Sequence, residues 1–205
     1  MDICFLDAID LPYNSNYLNS NKIRGGENIL INLSNEFAKL NHNVTVYNNC
    51  SEECLINSVR WINIKKINKN HFYDLAITNN DINLLSAINA NKKIAISHSI
   101  QTIEKFIRKR QLFAYLKNKP KIVLLSEYHK KNRNKLLRLF GSFKINWAVD
   151  EFFLNTEPNF NNTNNAIFTS RTDRNLNLLI DIWKKYIYPK NRNKKLLITP
   201  INEKL

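Results

Sequence analysis

The sequence predicts an α/β protein built on a Rossmann-like parallel sheet with helices on both faces. Short apolar runs alternate along the chain with segments whose apolar residues recur at helical spacing. Several of these runs are apolar throughout, which is typical of parallel strands that are buried on both faces. Polar turns rich in asparagine separate the two kinds of segment. Because crossovers between parallel strands are right-handed, this alternation predicts a doubly wound sheet.

The first strand–helix–strand unit is visible within the first 47 residues. Residues 1–8 read as a short buried strand, and residues 9–24 as a long polar loop. Residues 27–40 carry apolar side chains at helical spacing, and the β-branched run at 44–47 predicts the second strand. The pattern then continues with predicted strands at 59–64, 74–78, 93–97, 121–125 and within 143–149, and with predicted helices following 79–80 as far as 90, at 102–117 and at 127–140.

A stretch rich in asparagine at 155–165 predicts a linker between two domains. After it come a predicted strand at 166–170, a helix at 175–186 and a strand at 194–199. One such unit buries little of its own apolar surface. We therefore predict a complete domain at 1–158, followed at 159–205 by the first β-α-β unit of a second Rossmann-like domain that is truncated.

The charge and cysteine content of the chain indicate which kinds of partner and environment to expect. Lysine and arginine number 31 against 17 aspartate and glutamate, which gives a formal charge of +14. A surplus of this size favours an anionic partner, although the basic residues are spread along the chain and part of the surplus reflects general composition. The three cysteines form neither a disulfide framework nor a zinc motif. With no signal peptide and no long apolar run, we expect a reduced, cytoplasmic protein.

Polar groups follow several predicted strands and so should meet at one edge of the sheet. They are the Gly25-Gly26 pair, Asn79-Asn80, the Ser97-His98-Ser99 run and Ser126. Ligands of doubly wound sheets bind beyond the carboxyl ends of the strands. A glycine pair just ahead of a helix permits positive φ and leaves backbone N–H groups for an anion such as phosphate. The alternative is a tight turn without a ligand.

Once these motifs are set in order, the chain resembles the N-terminal domain of GT-B glycosyltransferases of group 1 (family 4). The resemblance rests on the glycine pair with Glu27, the helix end and second strand at 37–47, His98 at a strand end, the strand at 121–126, and the segments 148–153 and 167–176. The chain departs from the family pattern at several positions. Among them, Asn41 and Asn175 stand where the family usually has glycine.

The resemblance implies a retaining enzyme of the hexosyltransferase type in glycan or cell-envelope polysaccharide biosynthesis. It would transfer sugar from a nucleotide-diphosphate sugar to a glycan or lipid-linked glycan, without a metal or other cofactor. His98 would act near the reacting sugar, Gly25 and Gly26 would contact the acceptor or a phosphate, and Arg171 and Arg174 would bind the donor diphosphate. The paired glutamates of the family would lie beyond residue 205, so the chain alone is expected to be inactive.

Each of these residues also has a structural interpretation. His98 could cap the next helix or bond only to backbone, and each arginine could be a solvated residue near a helix start. The basic helices at 102–117 and 127–140 carry interleaved aromatic residues, which suits a peripheral contact with an anionic membrane or a phosphorylated acceptor. The alternative is a solvated helix face.

Two other classes compete with glycosyl transfer. The charge also suits a basic nucleic-acid-binding module, or a non-catalytic α/β module, but the chain holds no recognised nucleic-acid motif, so we rank these below. A nicotinamide-dependent oxidoreductase would need a G-x-G-x-x-G turn, and the chain has none.

Overall fold

The structure is a computed structural model that describes residues 1–19, 25–146, 148, 154–157, 165–170, 172 and 174–199. The chain divides into two compact units, Met1–Ala148 and Val149–Leu205. The boundary predicted at 158 and the linker at 155–165 fall partly outside the described residues. Each unit is considered by itself below.

The first unit is α/β with a central sheet of eight strands. Its strands are β1 (Asp2–Leu6), β2 (Asn43–Asn48), β3 (Cys54–Ile56), β4 (Val59–Asn63), β5 (Phe72–Asn79), β6 (Asn89–Ser97), β7 (Lys121–Leu124) and β8 (Ser142–Lys144). Its α-helices are α1 (Gly25–Lys39), α2 (Ile103–Arg108), α3 (Leu112–Asn118) and α4 (Glu127–Asn132). Short 3₁₀ turns lie at Ser15–Asn19, Ile64–Lys66, Ile82–Ala87 and Lys135–Arg138.

The sheet order is β3-β4-β2-β1-β5-β6-β7-β8, and every neighbouring pair is parallel except β3 with β4. From β1 the chain first builds outward through β2 and β4. It then returns to the other side of β1 and builds outward through β5, β6 and β7. The order therefore reverses between β1 and β5, and a doubly wound sheet opens a crevice at such a point.

Two apolar clusters cover the two faces of the sheet. Along β1, Ile3 and Phe5 belong to the cluster that contains Leu30 and Ile31 of α1. Cys4 and Leu6, which alternate with them, belong to the cluster that contains Tyr115 of α3. This two-sided burial is the reason that β1 is apolar throughout, as expected for a central parallel strand.

The structure divides the predicted helices more finely. The segment 102–117 forms α2 and α3, because Arg110 adopts a left-handed conformation (φ 53°) and ends α2. Its N–H bonds to the Ile107 carbonyl while the Gln111 N–H bonds to that of Phe106, which is a Schellman motif. The predicted helix at 127–140 is α4 plus a 3₁₀ turn. The predicted helix after Asn80 is only the turn Ile82–Ala87, since β6 already begins at Asn89.

The position of the glycine pair in the structure also differs from the predicted one. Gly25 and Gly26 are the first two residues of α1 and do not form a loop ahead of it. Among the described glycines, positive φ occurs only at Gly141 (81°). The backbone conformation at these two positions therefore does not require glycine. The preceding residues 20–24, which carry the rest of the motif, lie outside the described part of the chain.

The helix α1 ends in a second Schellman motif, at the position where Asn41 stands for the usual glycine. Asn41 has φ 61°, and its N–H bonds to the Ala38 carbonyl. The His42 N–H bonds to the Phe37 carbonyl, and the Phe37 and His42 rings lie 5.8 Å apart. Asparagine tolerates the left-handed region, which explains the substitution. His42 thus lies in the turn between α1 and β2, where its ring packs against Phe37.

The second unit contains a parallel pair, β9 (Asn165–Phe168) and β10 (Lys195–Ile198), joined through α5 (Leu176–Ile182) and a π-helical turn at Trp183–Ile187. Leu176 is buried, and Leu179, Ile180 and Trp183 are the partly covered residues of the same face. This is the predicted strand–helix–strand unit. Asn175, at φ 60°, also takes a left-handed conformation, just ahead of α5.

Replacing Asn41 tests the left-handed turn. We expect Asn41→Ala to lower the free energy of unfolding by about 1 kcal/mol, since alanine lacks the local hydrogen bonding that makes this conformation accessible to asparagine. Asn41→Gly should be neutral or stabilising. Urea unfolding followed by circular dichroism measures both. Equal destabilisation by alanine and glycine would show that the asparagine side chain, and not φ, matters here.

Candidate functional site

A polar crevice lies at the reversal of strand order, beyond the carboxyl ends of β1 and β5. Its volume is about 430 Å³. The lining is formed by Asp7, Ala8, Ile9, Asn79, Asn80, Asp81, Lys109 and Gln111. Parallel strands bring their carboxyl ends to one edge, so residues that directly follow β1 and β5 meet here although they are far apart in sequence.

Asp7 is the buried acid of this crevice. The residue is only 2% exposed, and its Oδ2 accepts hydrogen bonds from the Tyr13 hydroxyl at 2.7 Å and from Asn79 Nδ2 at 3.2 Å. Burial raises the pKa of Asp7, and the hydrogen bonds from Tyr13, from Asn79 and from the backbone of Ile9 oppose the rise. A buried carboxylate held by directed donors is costly to the fold, which is a common property of functional sites.

Asn79 connects Asp7 to His98. Its Nδ2 donates to Asp7, so its Oδ1, at 2.6 Å from His98 Nε2, must accept. A side-chain amide oxygen accepts only, and His98 Nε2 must therefore carry the hydrogen. If the Asn79 amide were turned the other way, its oxygen would face the ionised Asp7 carboxylate and be repelled by it. The acid thus sets the orientation of the amide, and the amide sets the tautomer of the imidazole.

His98 is held in its neutral form. Burial lowers the pKa of His98, the charge of Asp7 opposes this shift, and the positive potentials of Lys105 and His129 add to it. Its backbone N–H also donates to Asn80 Oδ1 at 3.1 Å. Because the unfolded chain binds the proton more readily, acidification below about pH 6.5 shifts the equilibrium toward unfolding through this residue.

The turn between α2 and α3 is attached to the same edge. Gln111 is 3% exposed, and its Nε2 donates to the Asn80 carbonyl at 3.2 Å and to Asp81 Oδ1 at 2.9 Å. Asn80 has φ 61°, and Asp81 caps the following 3₁₀ turn through the Asn83 N–H. The wall that contains Lys109 is therefore fixed to the carboxyl end of β5.

The loop after β1 is fastened on the other side of the crevice. Asn48, at the end of β2, donates to the Tyr13 carbonyl at 2.7 Å, and Ser15 donates to Asn35 of α1 at 2.8 Å. Tyr13 is 1% exposed and packs its ring edge against Trp61. These contacts hold the Tyr13 hydroxyl against Asp7.

Of the predicted site residues, the structure brings Gly26 and His98 to the same asparagine. A Cβ built at Gly26 would lie 3.5 Å from Asn79 Nδ2, whereas one at Gly25 would meet nothing within 4 Å. Arg174 lies exposed in the turn that precedes α5, in the second unit. Arg171 lies outside the described residues.

A second cluster of polar side chains lies next to His98, at the ends of β6 and β7. Lys105 Nζ donates to Ser99 Oγ, and Ser126 caps α4 through the His129 N–H at 3.2 Å. His129 Nδ1 and Gln101 Oε1 are buried there without a hydrogen-bond partner among the described residues. The sequence pattern did not indicate the effect of His129 on the pKa of His98.

Asp7 is the main residue that the sequence argument missed. The sequence pattern places it within the predicted strand at 1–8 and does not distinguish it as a site residue. Its position could have indicated it, because Asp7 directly follows a buried central strand and ligands bind beyond the carboxyl ends of such strands. Among the described residues, no group of three or more His, Cys, Asp or Glu side chains is arranged to hold a metal ion.

We expect Asp7→Asn to stabilise the protein at neutral pH. The amide fills the same volume and its oxygen still accepts from Tyr13, but it carries no buried charge. Because the pKa of Asp7 is raised, the folded chain holds a proton that the unfolded chain releases, so stability is lost as pH rises through that window. The gain should be smallest below about pH 4 and grow toward neutrality. Urea titrations at several pH values measure it; a variant that is least stable relative to the parent at pH 7 would contradict the assignment.

Asn79→Ala tests the connecting amide. It removes a donor to a buried carboxylate and the acceptor of His98, and should lower the free energy of unfolding by about 2–3 kcal/mol. Asn32→Ala is the matched control, since Asn32 lies exposed on α1 and bonds only within its helix. Equal losses in the two variants, measured by urea unfolding at pH 7, would contradict a special role for Asn79.

No protein-family model matches the chain, and no curated protein matches its sequence with statistical significance.

Proposed function

We propose that the chain is the acceptor-side part of a glycosyltransferase that uses a nucleotide-diphosphate sugar, together with the start of the donor-side part. The observation that carries this proposal is the hydrogen-bonded series Asp7–Asn79–His98, in which Asp7 and Asn79 line the crevice between β1 and β5 and the half-buried His98 bonds to Asn79. The mostly parallel α/β sheet is compatible with the Rossmann-like domain that the sequence resemblance implies. The family itself remains part of the proposal.

The chemistry of the crevice suits a polyhydroxylated acceptor. A sugar hydroxyl both donates and accepts hydrogen bonds, and the lining offers amides, carboxylates and one ammonium group, on Lys109. His98 is neutral near pH 7, so it can position a hydroxyl or move a proton at the reacting sugar. Asp7 and Asn79 act through His98 as positioning residues.

In this proposal, positively charged side chains and backbone N–H groups bind the leaving diphosphate. Transfer of a glycosyl group develops negative charge on the diphosphate, which directed N–H and guanidinium groups stabilise. Gly25 and Gly26, in the first turn of α1, would offer bare backbone on the acceptor side. Arg171 and Arg174 would bind the donor phosphates, and their assignment rests on the sequence resemblance alone. No metal or other cofactor is required by the proposed reaction.

A nucleic-acid-binding module is the competing proposal, favoured by the formal charge of +14. The crevice argues against it, because two carboxylates, on Asp7 and Asp81, lie in its lining. Nucleic-acid binding would also show an affinity that falls steeply with salt.

Ligand titration by NMR tests the proposed acceptor site in the chain itself. We expect oligosaccharides from a panel of acceptors to shift the His98 imidazole and Asn79 side-chain amide signals. The His71 imidazole is the internal control, since it bonds Asp2 at the opposite edge of the sheet. Signals of the crevice that stay unchanged across the panel, or that move only with DNA or RNA, would contradict the proposal.

Catalysis is then measured on the polypeptide encoded by the whole reading frame, with a panel of nucleotide sugars. We expect His98→Ala to lower kcat/KM for sugar transfer by about 100-fold or more, and His71→Ala to leave it unchanged. Transfer that does not depend on His98 would refute its catalytic role. An absence of both transfer and nucleotide-sugar hydrolysis would refute the proposed function.

A further inference from the structure

An apolar and basic surface lies on α2, α3 and the turn between them; we call it the α2–α3 surface. Its apolar members are Ile107, Phe113 and Leu116, which are 60%, 76% and 48% exposed. Its basic members are Arg108, Lys109, Arg110 and Lys117, all exposed. Phe113, Leu116 and Lys117 follow one another at helical spacing on α3.

These apolar residues are not parts of the core that happen to be near the surface. The opposite sides of the two helices supply Phe106, Ala114 and Tyr115 to the core, and the Phe106 and Tyr115 rings pack edge to face at 5.5 Å. The helices are therefore apolar on two sides. The core explains one side and leaves Ile107, Phe113 and Leu116 without a partner within the first unit.

Positive charge predominates around this surface. From Glu104 to Ser126 the sequence has seven lysines and arginines and a single acid, Glu104, which is exposed in the first turn of α2. Elsewhere in the chain, exposed lysines often lie beside an acid, as Lys39 does with Glu36 and Lys66 with Glu53. A large surplus of cations over acids, interleaved with exposed apolar side chains, is the composition of surfaces that bind anionic bilayers.

We propose that the α2–α3 surface docks on the surface of a bilayer that contains anionic lipids. Phe113, Leu116 and Ile107 would enter the boundary between head groups and acyl chains, while Arg108, Arg110 and Lys117 remain among the lipid phosphates. In the part of the chain that the structure describes, no helix is long and apolar enough to cross a membrane. The contact is thus with the surface of the bilayer.

A bilayer fits these residues better than a nucleic acid does. Both partners attract the cations, and a phenylalanine ring can stack on a base. Isoleucine and leucine have no stacking role, whereas burying them in the acyl boundary removes apolar area from water. Two of the three exposed apolar residues are of this aliphatic kind.

The surface adjoins the crevice through the turn between the helices. Lys109 and Gln111 line the crevice, and Gln111 fixes the turn to Asn80 and Asp81. Docking would therefore place the crevice close to the lipid head groups, where a lipid-linked acceptor could reach it. The docking inference does not depend on glycosyl transfer, because vesicle binding is measured without a sugar.

Vesicle co-sedimentation of the 205-residue chain tests the proposal, with vesicles of phosphatidylcholine alone and with a phosphatidylglycerol admixture. Binding is expected to the anionic vesicles and to be much weaker to the neutral ones. The double variant Phe113→Ser/Leu116→Ser should lower partitioning about 100-fold. Arg108→Glu/Lys117→Glu should lower it at least about tenfold. Lys109 is left unchanged, because it also lines the crevice.

Matched controls carry the same changes on exposed residues elsewhere. Leu55→Ser/Phe72→Ser replaces side chains that are 71% and 63% exposed, and Lys65→Glu/Lys69→Glu reverses two exposed charges. Both should bind as the parent does. Equal losses in the control and test variants, or equal binding to neutral vesicles, would overturn the proposal. Salt-sensitive binding to DNA or RNA that depends on Arg108 and Lys117, without vesicle binding, would overturn it in favour of a nucleic-acid surface.

Discussion

The buried carboxylate of Asp7 is the constraint on which the site depends. It sits at the end of the central strand, 2% exposed, where a charge is tolerated only with directed donors. Tyr13 and Asn79 are those donors, and each is held in turn by a different part of the fold: Tyr13 by the loop after β1 and Asn48, and Asn79 by its place at the end of β5. A single acid thus couples the loop, two strands and the orientation of His98.

Sheet topology explains why these residues meet. Asp7 and Asn79 are separated by 72 positions, yet β1 and β5 are neighbours in register, with Leu6 beside Thr78. The reversal of strand order at this pair opens the crevice, and β6, next to β5, adds His98. The α2–α3 turn closes one side through Gln111. The same turn continues into the apolar and basic surface, so the proposed membrane contact and the proposed acceptor site share one local structure.

Much of the fold could be predicted from periodicity, because strands buried on both faces and helices with one apolar face leave clear patterns. The mostly parallel α/β sheet of the first unit and the strand–helix–strand unit that follows it in the sequence were predicted in this way. Helix ends were harder to predict: Arg110 and Asn41 both adopt left-handed conformations, but nothing in the identity of Arg110 indicates that α2 stops there. The strand β3 is short and pairs antiparallel at the sheet edge, and three residues carry too little periodicity to be recognised.

The site was predictable only as a set of strand ends. The sequence indicated His98 and Asn79-Asn80 because they follow apolar runs, but it could not indicate that Asn79 touches both His98 and Asp7. That relation depends on strand order, which local patterns do not encode. The glycine pair shows the opposite case: the sequence drew attention to it through an expected positive φ, whereas in the structure it begins α1, and only Gly26 comes near Asn79.

The most direct test of the account is the tautomer and pKa of His98, read from the imidazole ¹⁵N chemical shifts across a pH titration. The account predicts a neutral ring at pH 7 with its hydrogen on Nε2, and a pKa below the ordinary value of about 6.5. A hydrogen on Nδ1, or a pKa above that value, would contradict the Asp7–Asn79–His98 arrangement.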